Sequence, residues 1–467
     1  MSRKPSVGLI LLRAEWFDRV VALPELAEGM RLDAEQIHGR LDEDLSLDFT
    51  WIVSSQDSLE QAVREVSAAQ VDLFVLVFQV WAEDTYLLPL SRAIAGRPLA
   101  VWCYLPWQRP PQPLPFNGVL RGSGPVGTLE GLGTLRNLNV DYLFTWGPAE
   151  NSRTRTNLLA FARAGRAWHA LRRARFGLLP TRSEQMQTTF VDESRLLADI
   201  GPTVIPLSVA ELKSVADALS QGEVAAFVKQ LRADFRIEGV NDETLSHAAR
   251  CSLALAHLAV NSHVDLLSLH DTSNELHAQL GLRPCLHAPL LDETGILTGL
   301  EGDLGAAVAM LAQHAFSDEP LLFSEIWYWD EAENTLVCGH AGPQDPGVAA
   351  PGTAWISQDY EYAQTDATSG AHLQFVARPG QVTLFQVRCT PRGWQAIAAR
   401  GEALESKPWL EGYPHAVVRM AAPLDRLLRQ VARVGSTQHW IMAYGDTTPE
   451  IRALCAFLKI PVEEVTA

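Results

Sequence analysis

The stretch Val71–Val80 (VDLFVLVFQV) is apolar at nearly every position. A strand with one wet face alternates polar and apolar residues. One that is apolar on both faces has to be covered twice, as in a parallel sheet flanked by helices. The surrounding sequence repeats this pattern. Val7–Leu12, Phe49–Val53 and Leu99–Leu105 read as further strands. Between them, Leu26–Leu41 (just after Pro24) and Ser58–Ala69 (with Asp57 placed to cap it) carry helical periodicity. Strand, helix, strand at this spacing means βαβ units and a doubly wound sheet. The Pro- and Gly-rich stretch 106–133 breaks the pattern and is expected to be a long surface loop. Asp141–Trp146 resumes as a strand, and Asn151–Arg175 is a long, arginine-rich helix near the first domain boundary.

A second α/β unit follows, with strands at Phe176–Leu179, Val204–Leu207 and Val264–Leu269 and helices at Glu193–Ile200, Ala210–Leu219 and Thr244–Asn261. From Leu321 the character changes. Leu322–Trp329, Thr335–Gly339, Leu373–Ala377 and Val382–Cys389 are strand candidates joined by Gly, Pro and Asp turns. Helix Pro423–Arg433, strand His439–Ala443 and helix Pro449–Leu458 close the chain. The fold class is α/β: two N-terminal doubly wound, Rossmann-like domains with parallel sheets, then a mainly antiparallel β domain. The expected divisions are 1–160, 161–305 and 306–467, consistent with 467 residues at roughly 150 per domain.

Lys plus Arg number 38 against 55 Asp plus Glu, a formal charge of −17. Binders of nucleic acid or anionic membranes need a cationic face, so neither is expected as a partner. No apolar run reaches the roughly 20 residues that span a bilayer. The basic start is followed by only a short apolar run before Arg13, with no small-residue cleavage site, so it reads as a first buried strand rather than a signal peptide. Six scattered cysteines with no C-x-x-C pair point to reduced thiols and a cytoplasmic setting.

Several segments are candidates for chemistry. Gly122-Ser-Gly124-Pro-Val-Gly127 matches G-x-G-x-x-G, yet it contains Pro125 and no strand leads directly into it, so an ordinary glycine loop is the plainer reading. Histidines 257, 263, 270, 277 and 287 cluster, but their spacing fits no common metal motif. In Leu300-Glu301-Gly302-Asp303-Leu304 two acids flank a glycine where a helix begins, and helix capping and a functional role are both open. Val308, Leu311 and Ala312 continue an apolar face of that helix. Period-two alternation places Glu325 on the face of Phe323, Trp327 and Trp329. A carboxylate there is costly to bury unless it is paired, protonated or bound to a metal. His340 follows Cys338-Gly339 at a strand end, and His439 begins a late strand.

Taken together, these residues carry a resemblance. Leu269-His-Asp-Thr-Ser-Asn, the Glu301-Gly-Asp303 step, Glu325 on the next strand, the Gly339-His340 step, and the tail Gly435-Ser-Thr-Gln-His439-Trp-Ile-Met-Ala-Tyr-Gly resemble the L-arabinose and L-fucose isomerase families. Arg175-Phe-Gly…Met186 is similar to a stretch of the family's middle domain. The likeness is collinear over nearly the whole chain. It implies a metal-dependent aldose–ketose isomerase acting on a pentose or 6-deoxyhexose through a cis-enediol(ate). By the same analogy Glu301, Glu325, His340 and His439 bind one divalent cation, Mn²⁺ in this family. Asp303 matches a family acid that is a ligand in the fucose branch, and serves here as a ligand or a support. A homo-oligomer, trimer or hexamer, is implied as well.

These residue types suit that reaction. Two carboxylates and two imidazoles leave two corners of an octahedron for vicinal sugar oxygens, a donor mixture compatible with manganese. Glu301 and Glu325 jointly supply the acid and base that move a proton between C1 and C2. Loops at the carboxyl ends of parallel strands are expected to read the sugar, with Arg13, Trp16, Gln79 and Trp81 as candidates and Met186 carried over from the family. The family's His-Thr-Gln step is replaced by Arg97-Pro-Leu-Ala-Val-Trp-Cys-Tyr-Leu-Pro-Trp107, and the lysine after its Glu-Gly-Asp by Leu304-Gly305. Those departures motivate an alternative, a non-catalytic sugar-binding or regulatory protein that keeps the isomerase fold. A nucleotide-dependent oxidoreductase using Gly122–Gly127 is a third reading.

Overall fold

A computed structural model of the protein describes residues 4–21, 23–362 and 370–465. The chain divides into two units, Met1–His169 with Arg452–Lys459, and Ala170–Ile451 with Ile460–Ala467.

In the first unit β1 (Ser6–Leu12), α1 (Pro24–Leu41), β2 (Ser46–Val53), α2 (Gln56–Ala68), β3 (Leu73–Phe78), α3 (Leu87–Ile94), β4 (Leu99–Tyr104), α4 (Phe116–Arg121), α5 (Gly124–Asn137) and β5 (Leu143–Gly147) alternate, and α6 (Ser152–Arg173) leads out. The strands form one parallel sheet in the order β2-β1-β3-β4-β5. Every residue of β3 is buried, as its two-sided apolar sequence requires. Two expectations change here. Ser55, not Asp57, caps α2: its side chain accepts from Ser58 N–H while the Ser58 hydroxyl accepts from the Ser55 N–H. The stretch expected to be a loop at 106–133 contains α4 and most of α5, and Gly122–Gly127 marks the start of α5. A Cβ on Gly124 would lie 2.6 Å from the Tyr104 carbonyl oxygen and 2.7 Å from that of Phe78. The glycine therefore lets a helix pack against the strand ends.

In the second unit β6 (Arg175–Leu179), a one-turn α7 (Glu193–Arg195), β7 (Thr203–Pro206), α8 (Val209–Ala218), α9 (Gln221–Asp234), β8 (Arg236–Ile237), α10 (Asp242–Asn261), β9 (Leu266–Leu269), α11 (Asn274–Leu280), α12 (Pro289–Thr294) and β10 (Leu297–Leu300) come first. Four of these strands make a parallel sheet, β10-β9-β6-β7. Next, α13 (Leu304–Ser317) precedes β11 (Leu322–Asp330), β12 (Thr335–Gly339), β13 (Trp355–Gln358), β14 (Ala371–Gln374), β15 (Gly380–Thr390), β16 (Gly393–Ala403), β17 (His415–Met420), α14 (Leu424–Val434) and β18 (His439–Tyr444). After α15 (Thr448–Leu458), whose last turns belong to the first unit, β19 (Val462–Val465) ends the described chain. The order β15-β18-β11-β12-β17-β16-β19, with β15 also paired to β16, closes six antiparallel strands into a ring. A small sheet, β14-β13-β8, lies apart. The α/β class with parallel sheets followed by a mainly antiparallel one is thus as expected.

Helix α13 is not amphipathic. Twelve of its fourteen residues are buried, and it packs on β9 and β10 on one side and β15 and β18 on the other. Among the described residues no helix is long and apolar enough to cross a membrane.

Candidate metal centre

Strand register in the second unit brings four donor side chains together. On β11, Glu325 sits opposite His439 of β18 on one side and Gly339 of β12 on the other. His340 follows Gly339 directly, so three of the four residues converge through two adjacent pairings. Glu301 arrives from the parallel sheet, one residue beyond β10, with its N–H bonded to the Leu269 carbonyl at 2.6 Å. It adopts a left-handed backbone (φ 56°), and Gly302 after it has φ 67°. A Cβ on Gly302 would come within 2.7 Å of Arg182 Cα, so the turn that presents Glu301 requires glycine.

One donor atom from each of Glu301, Glu325, His340 and His439 lies within 4.8 Å of the others. His439 is fully buried, and its Nδ1 is 2.8 Å from Asp303 Oδ2 and its Nε2 2.9 Å from Glu301 Oε2. Glu325 Oε1 is 3.8 Å from the same Nε2. His340 donates from Nδ1 to the Ala341 carbonyl at 3.0 Å. Its Nε2 is buried without a hydrogen bond, 3.8 Å from Glu301 Oε1. Each imidazole is therefore held at Nδ1 by an acceptor and aims Nε2 at the carboxylates, the arrangement that fixes the tautomer of a metal-ligating histidine. Phe323 packs against both rings, with centroids 5.2 Å from His340 and 4.7 Å from His439.

The electrostatics match this geometry. Burial pushes the Glu301 carboxyl up, but His340 and His439 beside it outweigh burial and hold it well below the usual carboxylate range. Glu325 moves the other way, raised chiefly by burial. Burial disfavours the His439 imidazolium, yet Asp303 and Glu301 raise its pKa to about 10. His340 is raised for a similar reason, with Glu301 outweighing burial. A cluster of this composition can hold a metal ion, whose ligation would require the His439 imidazole to give up its proton.

Asp303 combines the two roles left open by the sequence. Its Oδ1 accepts from the N–H groups of Gly305 and Ala306 and caps α13, while Oδ2 holds His439. Met186 lies close by: its sulfur accepts from Gln438 Nε2 at 3.1 Å, one residue before His439. The tryptophans differ from expectation. The β11–β12 register shifts between Ile326 and Tyr328, and this bulge ends the alternation beyond Glu325. Trp327 and Trp329 are 47% and 44% exposed. Trp327 stacks on Tyr413 at 5.1 Å and donates to the Gly339 carbonyl.

Arg13, Trp16, Gln79 and Trp81 belong to the first unit, following the carboxyl ends of β1 and β3. Trp16 is 40% exposed and meets Phe17 edge-on. Arg13 is half-buried. Gln79 is fully buried and donates to the Met30 carbonyl, and Trp81 donates from Nε1 to Glu130 at 2.9 Å. Of the clustered histidines, His287 joins Asp292 and Asp345 in a second, more open group of three donors. Sequence reasoning missed Arg283, which is buried and ion-paired to Asp271, Asp359 and Glu361. An arginine just after the helix ending at Leu280, in a stretch rich in apolar residues, is its only local signal.

No family model matches the chain. Curated proteins align along most of it. The sulfoquinovose isomerases of Priestia aryabhattai and Priestia megaterium (strain ATCC 12872 / QMB1551) are each 23% identical over 424 residues, covering 88% of this chain and 89% of theirs. The sulfoquinovose isomerase of Alkalicoccus urumqiensis is 22% identical over 428 residues, 89% of this chain and 91% of its own. Their shared name is that of a sugar isomerase, the coarser class expected from the sequence, with a sugar different from those of the arabinose and fucose isomerases.

Proposed function

We propose that the chain is a metal-dependent aldose–ketose isomerase whose centre is Glu301, Glu325, His340 and His439, with Mn²⁺ as the ion. One observation carries this reading: two imidazoles, each held at Nδ1, turn Nε2 toward two carboxylates, with the four donor atoms within 4.8 Å. When bound, the ion supplies Lewis-acid polarisation of two vicinal sugar oxygens. The protein's own residues do the rest. Glu325 has a side chain 23% exposed, against 8% or less for the other three, so it is the carboxylate an incoming sugar meets first. It takes the proton from C2 and returns it at C1, while Glu301 handles the hydroxyl protons. Asp303 keeps His439 in place, and Phe323 excludes water from the far side of both rings.

The substrate is an aldose, and the relatives' name makes sulfoquinovose, a 6-deoxyhexose bearing a sulfonate, the first sugar to try. The test is an aldose-to-ketose assay with added Mn²⁺ on sulfoquinovose, L-arabinose, L-fucose and D-glucose, alongside metal analysis of the purified protein. Turnover of one sugar, abolished by chelator and by His439→Ala, is expected. Absence of divalent-ion binding, or activity untouched by His439→Ala, overturns the proposal.

A further inference from the structure

Beside the four donors lies a fifth buried carboxylate that the scheme above leaves unused. Asp271 is 0% exposed. It stands two residues beyond β9, and β9 pairs in parallel with β10, Leu269 opposite Leu300. Glu301 is one residue beyond β10, so the two acids emerge side by side at the carboxyl edge of the parallel sheet, where ligands of such sheets bind. Asp271 is close enough to Glu301, Glu325 and His340 for their charges to act on one another.

Its two oxygens have different surroundings. Oδ2 is 2.9 Å from Arg283 Nη1. The guanidinium is itself fixed, with Nε and Nη2 on the two oxygens of Asp359 at 2.6 and 2.9 Å, and Nη1 also 2.7 Å from Glu361. Tyr413 donates to Glu361 at 2.6 Å and anchors that end of the network. Arg283 is thus a rigid clamp that orients Asp271. Oδ1 is buried and makes no hydrogen bond. A buried carboxylate oxygen without a donor costs free energy comparable to a lost charged hydrogen bond. A hydroxyl of a ligand bound at the neighbouring donors is one group able to supply the missing donor.

Resting on the isomerase reading, we propose that Asp271 Oδ1 accepts a hydrogen bond from the sugar hydroxyl on C3 or C4 and so selects for sugars that carry it. Arg283 is the positioning residue that holds the acceptor in place.

Asp271→Asn tests this without changing side-chain size. The amide oxygen faces the Arg283 donors, so the NH2 group takes the place of Oδ1 and a donor replaces the acceptor. The probe is the aldose of the panel above with the highest kcat/KM, with its 3-deoxy and 4-deoxy analogues, assayed on both proteins with Mn²⁺. In the unsubstituted protein one deoxy analogue is expected to raise KM on the order of 10- to 100-fold. In Asp271→Asn, assayed with Mn²⁺ kept saturating because loss of a nearby negative charge weakens ion binding, the parent sugar is expected to show that same increase and the deoxy analogue little further loss. A KM for the parent sugar within twofold of the unsubstituted protein overturns the inference while the isomerase reading stands. If the variant fails to fold, the deoxy series on the unsubstituted protein decides: equal KM for all three sugars overturns it. Absence of turnover of every aldose by the unsubstituted protein overturns the isomerase reading, and this inference with it.

Discussion

Asp303 performs two tasks with two oxygens, and that division predicts how it responds to substitution. One oxygen satisfies the first N–H groups of α13 and the other holds the Nδ1 proton of His439. Asn presents a single oxygen, so Asp303→Asn keeps one task and loses the other. Because Asn is a good cap, the His439 contact is the one forfeited. Mn²⁺ affinity measured by calorimetry is expected to fall roughly 10- to 100-fold, and the melting temperature to fall as well, because a buried ionic contact is lost even though α13 stays capped. Unchanged affinity would show that His439 needs no such support. His439 also sets a pH dependence. Without the ion its proton is retained up to pH about 10, with Asp303 and Glu301 overriding burial. Stability from this contact is therefore fully present below the ordinary histidine value of 6.5 and lost as pH rises through about 10. A ligating imidazole must be neutral, so ion binding at pH 7 expels a proton and apparent affinity climbs about tenfold per pH unit until about pH 10. Calorimetry in two buffers of unlike ionisation enthalpy counts that proton, and a count of zero contradicts the assignment. At this scale the four side chains that the structure brings together were each singled out in the chain. Asp271 and Arg283 were not, because an unpaired oxygen and its clamp are properties of three-dimensional packing.

Secondary-structure elements deliver these side chains through register and through one strained turn. Glu325 opposite His439 is a pairing between residues more than a hundred positions apart, which periodicity cannot reveal. What periodicity did reveal was the strand itself, Leu322–Asp330, and it failed only past the bulge, where the tryptophans turn outward. Likewise the Pro- and Gly-rich composition of 106–133 suggested a loop, whereas Pro125 stands in the first turn of α5, where its missing N–H costs nothing, and Gly124 serves close packing. The Glu301–Gly302 turn yields the sharpest prediction here. Gly302→Ala places a methyl 2.7 Å from Arg182 Cα and 3.0 Å from the Thr181 oxygen, at φ 67°. Left-handed strain and overpacking together are expected to cost about 2–4 kcal/mol. Shifting the turn also moves Glu301 away from its partners and weakens ion binding. Gly299→Ala, three residues earlier, meets nothing closer than 3.6 Å and serves as the control. Equal melting temperatures and equal ion affinities for the two variants would refute the assigned role of the turn.

At the scale of the molecule, the sheets divide the work unevenly. The two-sided apolar run and the strand–helix alternation made the parallel sheets legible in advance. The closed ring was less so. Gly393–Ala403, a full strand, is rich in Ala and Gly rather than β-branched residues and carries little intrinsic strand signal. Its place comes from eleven pairings with β15, a tertiary cause. Every proposed ion ligand, with Asp303 and Asp271, belongs to the second unit. A bound ion should therefore stabilise the chain locally. At 100 times its dissociation constant an ion adds about 2.7 kcal/mol to whatever opens together with its ligands. Hydrogen exchange followed by mass spectrometry, with and without Mn²⁺, is expected to slow in peptides covering β10, β11, β12 and β18, with β1–β5 unchanged. His439→Ala should erase the difference. Uniform slowing across both units, or slowing that persists in His439→Ala, would mean that the ion acts somewhere other than at these four side chains.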